Sequence, residues 1–424
     1  MKTRIPEILA VMLLLPALAV LADTTITADP DHPNDPDYFV ADQITYHKYT
    51  VPDSVRTAAT DESLSVDTIG VEVVKVGGID QNGHITIPSN VGGWHVTMID
   101  SSAFKNNTAL RSITVPSTLL QVQDNAFEGC TNLHTFTVDT SAGSPHLMYI
   151  ADSAFKDCTS LTSFPETPYL ILVGHHSFQN SGLTSFSFPD HYTQISSYAF
   201  NGCTALASVT FPAELNYIGD YAFEGCTSLT SADLSSTKLG YIQDNAFANC
   251  SSLQTVSFPS GTYLSLQTGT FANCTSLTSV DLINTGLTYL PAAFTGCTEI
   301  TSVSLPSTLT NGIAAGTFAD SDKITSVDCA MTTAPHADTD VFAQTVYENA
   351  ILDYPLDATG YDNQNTAWGQ FQRKNIYTAV ETLPLEEGRA VYYDLGGTRA
   401  ERPEAGKIYI MVKGGKASRV ISHR

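Results

Sequence analysis

The chain has 424 residues and a formal net charge of −23, from 20 Lys and Arg against 43 Asp and Glu. This excess of negative charge argues against binding to nucleic acid, whose phosphates need a basic surface, and against docking onto anionic lipid. Charged residues make up 15% of the chain and hydrophobic residues 42%, which excludes a disordered protein and leaves ample apolar material for a core.

The first residues have the pattern of a secretory signal peptide. Two basic residues precede an apolar run from Ile8 to Leu21, which ends in small residues. A retained membrane helix is disfavoured because the run is shorter than the ~20 residues that a span needs and Pro16 interrupts it. We therefore predict that residues 1–22 are a signal peptide, that the protein is secreted or held at the cell surface, and that nothing inserts into a membrane after cleavage.

An internal repeat of 22 to 28 residues governs the middle of the chain. One unit runs Ile218-Gly-Asp-Tyr-Ala-Phe-Glu-Gly-Cys-Thr-Ser-Leu229, followed by two further inward-facing apolar positions. A fixed period of this length with regularly spaced Leu is the signature of a leucine-rich repeat solenoid. The repeat is anchored on eleven phenylalanines: Phe104, Phe127, Phe155, Phe178, Phe200, Phe223, Phe247, Phe271, Phe294, Phe318 and Phe342.

Each coil of this repeat is expected to contain one strand and one turn. In Val209-Thr-Phe211 the two apolar residues point inward and the Thr outward, which predicts a parallel sheet with a face rich in Ser, Thr and some Asp. Short helical turns are expected on the opposite face, with an Asp three residues before the Phe as N-cap, for example Asp220. No coil can bury its apolar face alone, so the coils must stack and the ends need caps.

The unit Ile-Gly-x-x-Ala-Phe-x-x-Cys-x-x-Leu resembles the BspA-like class of bacterial leucine-rich repeat proteins, over residues 94–350. The resemblance implies an α/β-type solenoid of about eleven coils. It also implies adhesion to host proteins or to other cells. Asn107, Ser181 and Ser321 depart from the pattern by replacing Cys.

The segments outside the repeat are predicted to cap the solenoid. Residues 23–93 indicate a β-rich N-terminal cap, and residues 351–384 a C-terminal cap that lays an aromatic side chain over the last coil. Residues 385–424 predict a β-hairpin tail, which is similar to the C-terminal sorting tails that the type IX secretion machinery reads in exported Bacteroidetes proteins. A terminal hairpin without a sorting role is the alternative.

Eight cysteines in an exported protein would ordinarily suggest disulfides. Seven of them occupy one repeat column, where neighbouring Cβ atoms lie near the coil spacing of ~4.8 Å, beyond the ~3.5–4.5 Å that a disulfide prefers. We predict buried free thiols that pack against the Phe column, with Cys329 also in the core. These seven are Cys130, Cys158, Cys203, Cys226, Cys250, Cys274 and Cys297.

Chemistry-bearing residues are scattered. Two histidines that share a column, His146 and His191, lie two coils apart, too far to ligate one metal, so the histidines are interpreted as polar surface. No catalytic or phosphate-binding motif occurs in the sequence. We therefore predict no metal, no cofactor and no enzymatic activity.

Four tyrosines are the candidate ligand-binding residues: Tyr149, Tyr217 and Tyr241 lie six residues before their Phe, and Tyr289 is displaced by one. They should point outward along one edge and offer rigid amphipathic area to a protein or to a sugar. Packing of the rings against one another as a structural shelf is equally compatible with the spacing. The insertion at residues 140–146 is a second candidate contact.

These observations favour a secreted or surface-exposed binding protein, adhesin-like, that contacts host or cell-surface proteins. The alternative is a glycan-binding or structural envelope protein. In either case the partner is a protein or glycan ligand on a host or neighbouring cell.

Overall fold

The computed structural model describes residues 26–51, 69–141, 143–261 and 263–377, together with backbone strands between 391 and 421. The predicted signal peptide and most of the predicted sorting tail lie outside the described residues. Between residues 81 and 355 the chain winds in successive coils, and each coil stacks on the previous one through parallel strands. The predicted repeat solenoid is therefore confirmed.

Strands at the N-terminal end turn the chain into the first coil. β1 to β4 pair antiparallel, and β4 then pairs parallel with β7, so the direction of pairing changes where the repeat begins. The strands are β1 (Thr27–Ala28), β2 (Tyr38–Ala41), β3 (Ile44–Thr50), β4 (Ile69–Val76), β5 (His84–Thr86), β6 (Asn90–Val91) and β7 (Trp94–Ile99).

Most coils of the repeat contribute a pair of short strands, one to each of two columns. The strands are β8 (Ser112–Pro116), β9 (Gln121–Val122), β10 (Thr135–Asp139), β11 (Tyr149–Ile150), β12 (Leu172–Val173), β13 (Ser185–Ser187), β14 (Gln194–Ile195), β15 (Ser208–Thr210), β16 (Tyr217–Ile218), β17 (Ser231–Asp233), β18 (Tyr241–Ile242), β19 (Thr255–Ser257), β20 (Ser265–Leu266), β21 (Ser279–Asp281), β22 (Ser302–Leu305) and β23 (Ser326–Cys329).

The two columns differ in composition. The long-strand column runs from β5 and β8 through β10, β13, β15, β17, β19, β21 and β22 to β23, and its outward positions are mostly Ser and Thr. The short-strand column runs from β7 through β9, β11, β12, β14, β16 and β18 to β20, and its strands have two residues each after β7. The second residue of each short strand is buried, so the first lies at the edge of the solenoid.

The turns between the two columns are not helical. Their backbone groups alternate between bonds within the turn, such as Glu224 N–H to the Tyr221 carbonyl at 3.2 Å, and bonds to the next coil, such as Phe223 N–H to the Ala246 carbonyl at 2.8 Å. Tyr221 has a φ of 56° and Gly225 one of 72°, and residues in this left-handed region interrupt a helix. In place of the predicted helical turns, the coils have non-helical turns, and each turn is hydrogen-bonded to the turn of the next coil.

The aspartates before the phenylalanines do not cap these turns as predicted. Asp220 Oδ1 accepts a hydrogen bond from the Asp244 N–H of the next coil at 3.2 Å, and Asp124 Oδ1 accepts one from the Asp152 N–H at 3.0 Å. Because the turns are not helices, there is no row of free N–H groups for an N-cap to satisfy. The carboxylates join neighbouring coils instead.

The eleven phenylalanines form one continuous core column. All are buried, and every consecutive pair from Phe104 to Phe342 is stacked, with ring centroids 4.8 to 5.6 Å apart and ring planes within 5° to 13° of each other. Stacked neighbours provide dispersion contacts on both faces of each interior ring, so each coil depends on the next for its core.

The cysteines lie beside this column, buried and free, as predicted. Each of the seven column thiols donates a hydrogen bond to the carbonyl of the Phe one coil back; Cys226 Sγ, for example, lies 3.3 Å from the Phe200 oxygen. Ser321 replaces Cys and its hydroxyl donates to the Cys297 carbonyl at 2.7 Å. The Cys and Ser residues at this position therefore have in common a small side chain that donates a hydrogen bond to a backbone carbonyl.

The C-terminal end closes the core with aromatic side chains. The last ring of the column, Phe342, meets Phe371 edge-on at 5.5 Å and Trp368 at 6.3 Å. Trp368 is fully buried, and its indole N–H donates to the Pro335 carbonyl at 2.8 Å. The elements here are α1 (Gln344–Asn349), β24 (Ile351–Pro355), α2 (Ala367–Gln370) and β25 (Arg373–Tyr377).

The tail adds a separate antiparallel sheet. Its strands are β26 (Val391–Tyr393), β27 (Arg399–Ala400), β28 (Ile408–Lys413) and β29 (Lys416–Ile421), in the order β27-β26-β28-β29. The backbone is therefore more extensive than a single hairpin, and the predicted sorting role stays a prediction.

Candidate functional site

Three of the four candidate tyrosines lie on strands of the short-strand column, whereas Tyr289 lies beyond β20, next to Leu290, which forms an isolated bridge with Ile313. Tyr217 and Tyr241 are direct neighbours in register on β16 and β18. Tyr149 is paired with Gln121 and Leu172, so it stands apart from the other three. Ser265 follows Tyr241 in register on β20, the last strand of the column.

Two of the four are partly withdrawn from solvent. Tyr149 is half-buried and packs against a small apolar cluster of Val51, Leu120 and Met148 that lies beside the main core. Tyr217 is also half-buried, and burial is the main cause of the raised pKa of its phenol, with the Asp220 charge adding to it. The contacts of Tyr149 are therefore with aliphatic and Met side chains and not with another candidate ring.

The other two tyrosines are exposed, and a third exposed tyrosine that the sequence analysis missed lies beside Tyr241. Tyr241 is 48% exposed and Tyr289 45% exposed. Tyr263 is 56% exposed, and its ring lies 5.8 Å from that of Tyr241 with the planes tilted by 59°. We call Tyr241, Tyr263 and Tyr289 the tyrosine edge.

Tyr263 precedes the buried Leu264, just as the exposed Lys238 precedes the buried Leu239 in the coil before it. An exposed position before a buried leucine therefore recurs in neighbouring coils. This repeated position is the signal that could have found Tyr263.

A proline interrupts the short-strand column after β20, and parallel bridges from Leu290 to Ile313 and from Ile313 to Ala337 continue it. In the preceding coils the residue after the buried one donates to the coil before it, as Gln267 N–H does to the Ile242 carbonyl at 3.0 Å. Pro291 occupies this position after Leu290 and has no N–H to donate. One backbone hydrogen bond is therefore missing at this point, while the turns of the two coils stay joined, for example by the Phe271 N–H to the Ala293 carbonyl at 2.8 Å.

The coil of Tyr241 contains one ion pair with the coil before it. Lys238 Nζ lies 2.6 and 2.7 Å from the two carboxylate oxygens of Glu214. In the following coils the Gln267 amide donates to Ser265 Oγ at 3.1 Å, and Asn284 is exposed. This part of the surface combines aromatic rings with hydroxyl and amide groups.

The insertion at 140–146 is exposed at residues 140, 141, 143 and 144 and ends at the buried His146. His146, predicted as polar surface, is only 4% exposed and stacks on Tyr169 with ring centroids 5.3 Å apart. Its Nδ1 lies 3.1 Å from the Ser117 carbonyl oxygen. That prediction is wrong for His146 because the insertion folds its end back against the preceding coil, whereas His134, His175 and His191 are exposed.

The long-strand column presents a hydroxyl-rich and mildly acidic face. Ser231 and Thr255 lie in register on neighbouring strands, as do Ser302 and Ser326, and Asp233 and Asp281 are exposed on the same face. Aromatic and Arg side chains, on which tight interfaces usually centre, are absent from the outward positions of the described strands β13 to β23.

Within the described ranges, His, Cys, Asp and Glu side chains form no group of three or more that could hold a metal ion. Of the helices in the described part of the chain, none is both long and apolar enough to cross a bilayer.

The stacked coils, the buried Phe and Cys columns and the exposed edge define a leucine-rich repeat solenoid. The model of the BspA type leucine rich repeat region matches the chain in six copies, over residues 81–168, 171–291 and 235–349. The chain belongs to this family. The comparison with curated proteins finds no significant match.

Solved structures of bacterial leucine-rich repeat proteins are similar to this chain at low sequence identity. A leucine-rich repeat protein from Bacteroides ovatus is 20% identical, with 80% of this chain and 100% of that chain covered, at a TM-score of 0.47. A leucine rich cell surface protein from Faecalibacterium prausnitzii is also 20% identical, with coverages of 80% and 98% and a TM-score of 0.40. The pneumococcal vaccine antigen PcpA is 17% identical, with coverages of 84% and 99% and a TM-score of 0.36.

Proposed function

We propose that the protein is an adhesin-like binding protein, exposed at the cell surface or secreted, that attaches to a macromolecule on a host or neighbouring cell. It acts by binding and not by turnover. The tyrosine edge is the proposed contact surface, with Tyr217 at its border. The single observation that carries the proposal is the concentration of exposed rings there: between residues 200 and 330 the exposed large hydrophobic side chains are Tyr241, Tyr263 and Tyr289.

Physical chemistry supports a contact role for these rings. A tyrosine ring offers large, rigid contact area with few rotatable bonds, so little conformational entropy is lost when it is immobilised. Leaving three such rings in water forgoes the free energy of burying them. The core does not need them, because the Phe column is complete without them.

The proposal can be tested with beads that carry the full chain and are washed over host epithelial cells, extracellular matrix and bacterial cells. We expect native protein to retain the beads on at least one of these surfaces. The Tyr241→Ser, Tyr263→Ser, Tyr289→Ser triple variant should lose retention while its melting temperature stays unchanged, because the three side chains are exposed.

The matched control is Leu172→Ser, since Leu172 is 41% exposed and occupies the same row three coils away. This variant should retain the beads as the native protein does. If beads with native protein are retained no better than beads with heat-denatured protein on any of the surfaces, the proposed binding function is wrong. Retention that survives the triple variant would overturn the choice of surface. A large fall in melting temperature for Tyr217→Ser would assign that ring to the structural shelf.

A further inference from the structure

A stack of three rings lies among the N-terminal strands. Tyr38, on β2, lies between His32 and His47, with ring centroids 4.0 Å apart on the His32 side and 4.3 Å apart on the His47 side. The ring planes are within 18° and 21° of parallel. His47 lies on β3, in register with Tyr38, whereas His32 lies before β2. The stack therefore joins the segment that leads into the strands to the strands themselves.

Each histidine is also paired with a buried carboxylate. His32 Nδ1 lies 2.6 Å from Asp29 Oδ2, and His47 Nδ1 lies 2.6 Å from Glu72 Oε1. The side chains of Asp29 and Glu72 are 4% and 10% exposed, whereas those of His32 and His47 are 45% and 25% exposed. We call these residues the histidine cluster: Asp29, His32, Tyr38, His47 and Glu72.

The histidine cluster connects the N-terminal strands to the first coil of the solenoid. Glu72 lies on β4, which pairs antiparallel with β3 and parallel with β7. Asp29 directly follows β1, which pairs with β2. The two ion pairs therefore lie where β1 to β3 attach to β4.

The protonation state of His47 decides whether the Glu72 carboxylate has a compensating charge. A buried carboxylate is costly unless a positive charge or hydrogen-bond donors lie beside it. Burial raises the pKa of Glu72, the hydrogen bond with His47 opposes this rise, and the Asp100 charge adds to it. A charged His47 ring is therefore worth more to the folded state than a neutral one.

A rise in pH through neutrality weakens both ion pairs. Imidazole takes up a proton near pH ~6.5 in water, so in mildly acidic solution a charged ring donates to a charged carboxylate, which is the stronger kind of hydrogen bond. At higher pH the rings lose their charge while the carboxylates keep theirs. Glu72 acts in the same direction, because a carboxyl group whose pKa is raised by burial destabilises the folded state as it ionises.

The other acidic groups around the ring stack strengthen this pH dependence. Burial is the main cause of the raised pKa of the Tyr38 phenol, and the charges of Glu72, Asp35, Asp100 and Asp29 add to it. These carboxylates face the stack from β4, from the segments before β2 and from the end of β7. A charged histidine is therefore attracted by several negative groups at once.

The lysines on the same strands already have partners. Lys75 Nζ, on β4, lies 3.0 Å from Asp31 Oδ2. Lys48 Nζ, on β3, donates to the Pro36 carbonyl at 3.2 Å and lies 4.4 Å from the centroid of the Trp94 ring. The charge that changes near neutral pH in this cluster is therefore that of the histidines.

We propose that the histidine cluster is a pH-sensitive switch, which holds β1 to β3 against β4 at mildly acidic pH and loosens this attachment as the pH rises through neutrality. The inference does not depend on the proposed contact surface, because the histidine cluster and the tyrosine edge have no residue in common.

Hydrogen exchange of the full chain at about pH 5.5 and at about pH 8 tests the switch. Exchange is expressed as protection factors, which remove the intrinsic acceleration of exchange by base. We expect protection in Tyr38–Ala41 and Ile44–Thr50 to fall about tenfold from the lower to the higher pH, the change that one pKa unit of coupling produces. Protection in Ser302–Leu305, inside the solenoid, should stay the same.

Glutamine variants separate the charge of the histidines from their hydrogen bonds. A glutamine amide can donate to a carboxylate but takes up no proton near neutral pH. The double variant His32→Gln, His47→Gln should therefore have the same protection in β2 and β3 at both pH values. His134→Gln is the matched control, because this exposed histidine has its Nδ1 2.6 Å from the Asn132 carbonyl oxygen and should leave the native fall unchanged.

Glu72→Gln tests the role of the buried charge itself. The variant keeps an acceptor for the His47 ring but removes the carboxylate. Protection in β2 should be lower than in the native chain at about pH 5.5, where charged His47 has lost its partner, and higher at about pH 8, where no uncompensated carboxylate remains at this position. Circular dichroism and the protection of β22 show whether each variant is folded.

Four results would overturn the switch. Native protection in β2 and β3 that does not change between the two pH values would do so, as would a fall of native size in the double histidine variant. An equal fall in β22 would assign the pH dependence to the whole solenoid. Lower protection of Glu72→Gln at both pH values would show that Glu72 acts through its hydrogen bond and not through its charge.

Discussion

The thiols of the cysteine column show how one residue type satisfies two demands of a repeat. The site beside the Phe column is fully buried, so it needs a small side chain, and the Phe carbonyl of the previous coil lies within reach of a donor. Burial raises the pKa of Cys203 to about 11 and that of Cys130 to about 12, against an ordinary value of 9.0. The thiols therefore stay protonated donors at neutral pH.

The raised pKa values predict a loss of stability at alkaline pH. A thiol whose pKa is raised on folding adds fully to the free energy of unfolding at pH values below its unfolded-state pKa, near 9.0. This stabilisation is lost as the pH rises toward the pKa of the folded state. The free energy of unfolding should therefore fall between about pH 9 and pH 12, by up to about 1.4 kcal/mol per pH unit for each titrating thiol. Urea unfolding at a series of pH values measures this.

Cys226→Ser is the matched control, because Ser321 already donates from the same column. It should be destabilised by about 1 kcal/mol at pH 7 and show a smaller alkaline loss than the native chain. A free energy of unfolding that does not change above pH 9 would contradict the buried, protonated thiols.

The turns are the elements in which the backbone conformation most clearly restricts the choice of residue. The position two residues after each Phe has a positive φ in most coils, and it is occupied by Gly, Asn or Asp, the residues that tolerate this region best. A Cβ built on Gly225 would meet its nearest neighbour, the Gly202 Cα, at 3.7 Å, so there is space for a side chain. The glycine is therefore needed for its backbone conformation and not for room.

Two substitutions at Gly225 separate conformation from packing. Gly225→Ala should cost about 1 kcal/mol of unfolding free energy, because Ala is unfavourable at a φ of 72°. Gly225→Asn should cost less, since Asn249 and Asn273 occupy the same position in the next two coils. Equal losses for the two variants in urea unfolding would show that a clash and not the backbone conformation determines the residue.

At the scale of the whole molecule, stability depends on stacking and on the ends. Each coil buries its core against its neighbours, so the last coil depends on the aromatic side chains that cover it. Trp368 is fully buried and lies against Phe342 and Tyr361. Loss of the Trp368 side chain would therefore expose the core at the C-terminal end only.

Trp368→Ala should therefore unfold the solenoid progressively from the C-terminal end. A fully buried Trp costs about 3–5 kcal/mol when truncated to Ala. In hydrogen exchange we expect faster exchange in Ser326–Cys329 and Ile351–Pro355 and unchanged exchange in Ser112–Pro116. Uniformly faster exchange along the whole chain would contradict nearest-neighbour stacking, and Leu356→Ser, which changes an exposed residue, should alter neither region.

The sequence predicted what the repeat itself determines. The inward Phe, the buried Cys and the parallel columns follow from the period, because every coil must place its apolar residues in the same position. The partners of side chains were less predictable: Asp220 binds the next coil, since a carboxylate three residues before the Phe can reach either its own turn or its neighbour.

The tyrosine edge was only partly predictable for a related reason. The spacing placed Tyr241 and Tyr289 at the edge, but how exposed a ring is depends on the side chains beside it. Tyr149, for example, packs against a cluster that includes Val51, a residue outside the repeat. His146 ends an insertion, where the period gives no position, whereas Tyr263 lies before a buried leucine as Lys238 does one coil earlier. Contacts between the repeat and the segments outside it do not follow from the repeat.

The central claim is that one continuous column of stacked rings runs through the protein from Phe104 to Phe342. A crystal structure of the full chain tests it most directly. It should show the eleven rings in single file, with neighbouring centroids 4.8 to 5.6 Å apart and planes within 5° to 13° of parallel. Rings divided among separate cores, or turned toward solvent, would contradict the fold and every surface assigned from it.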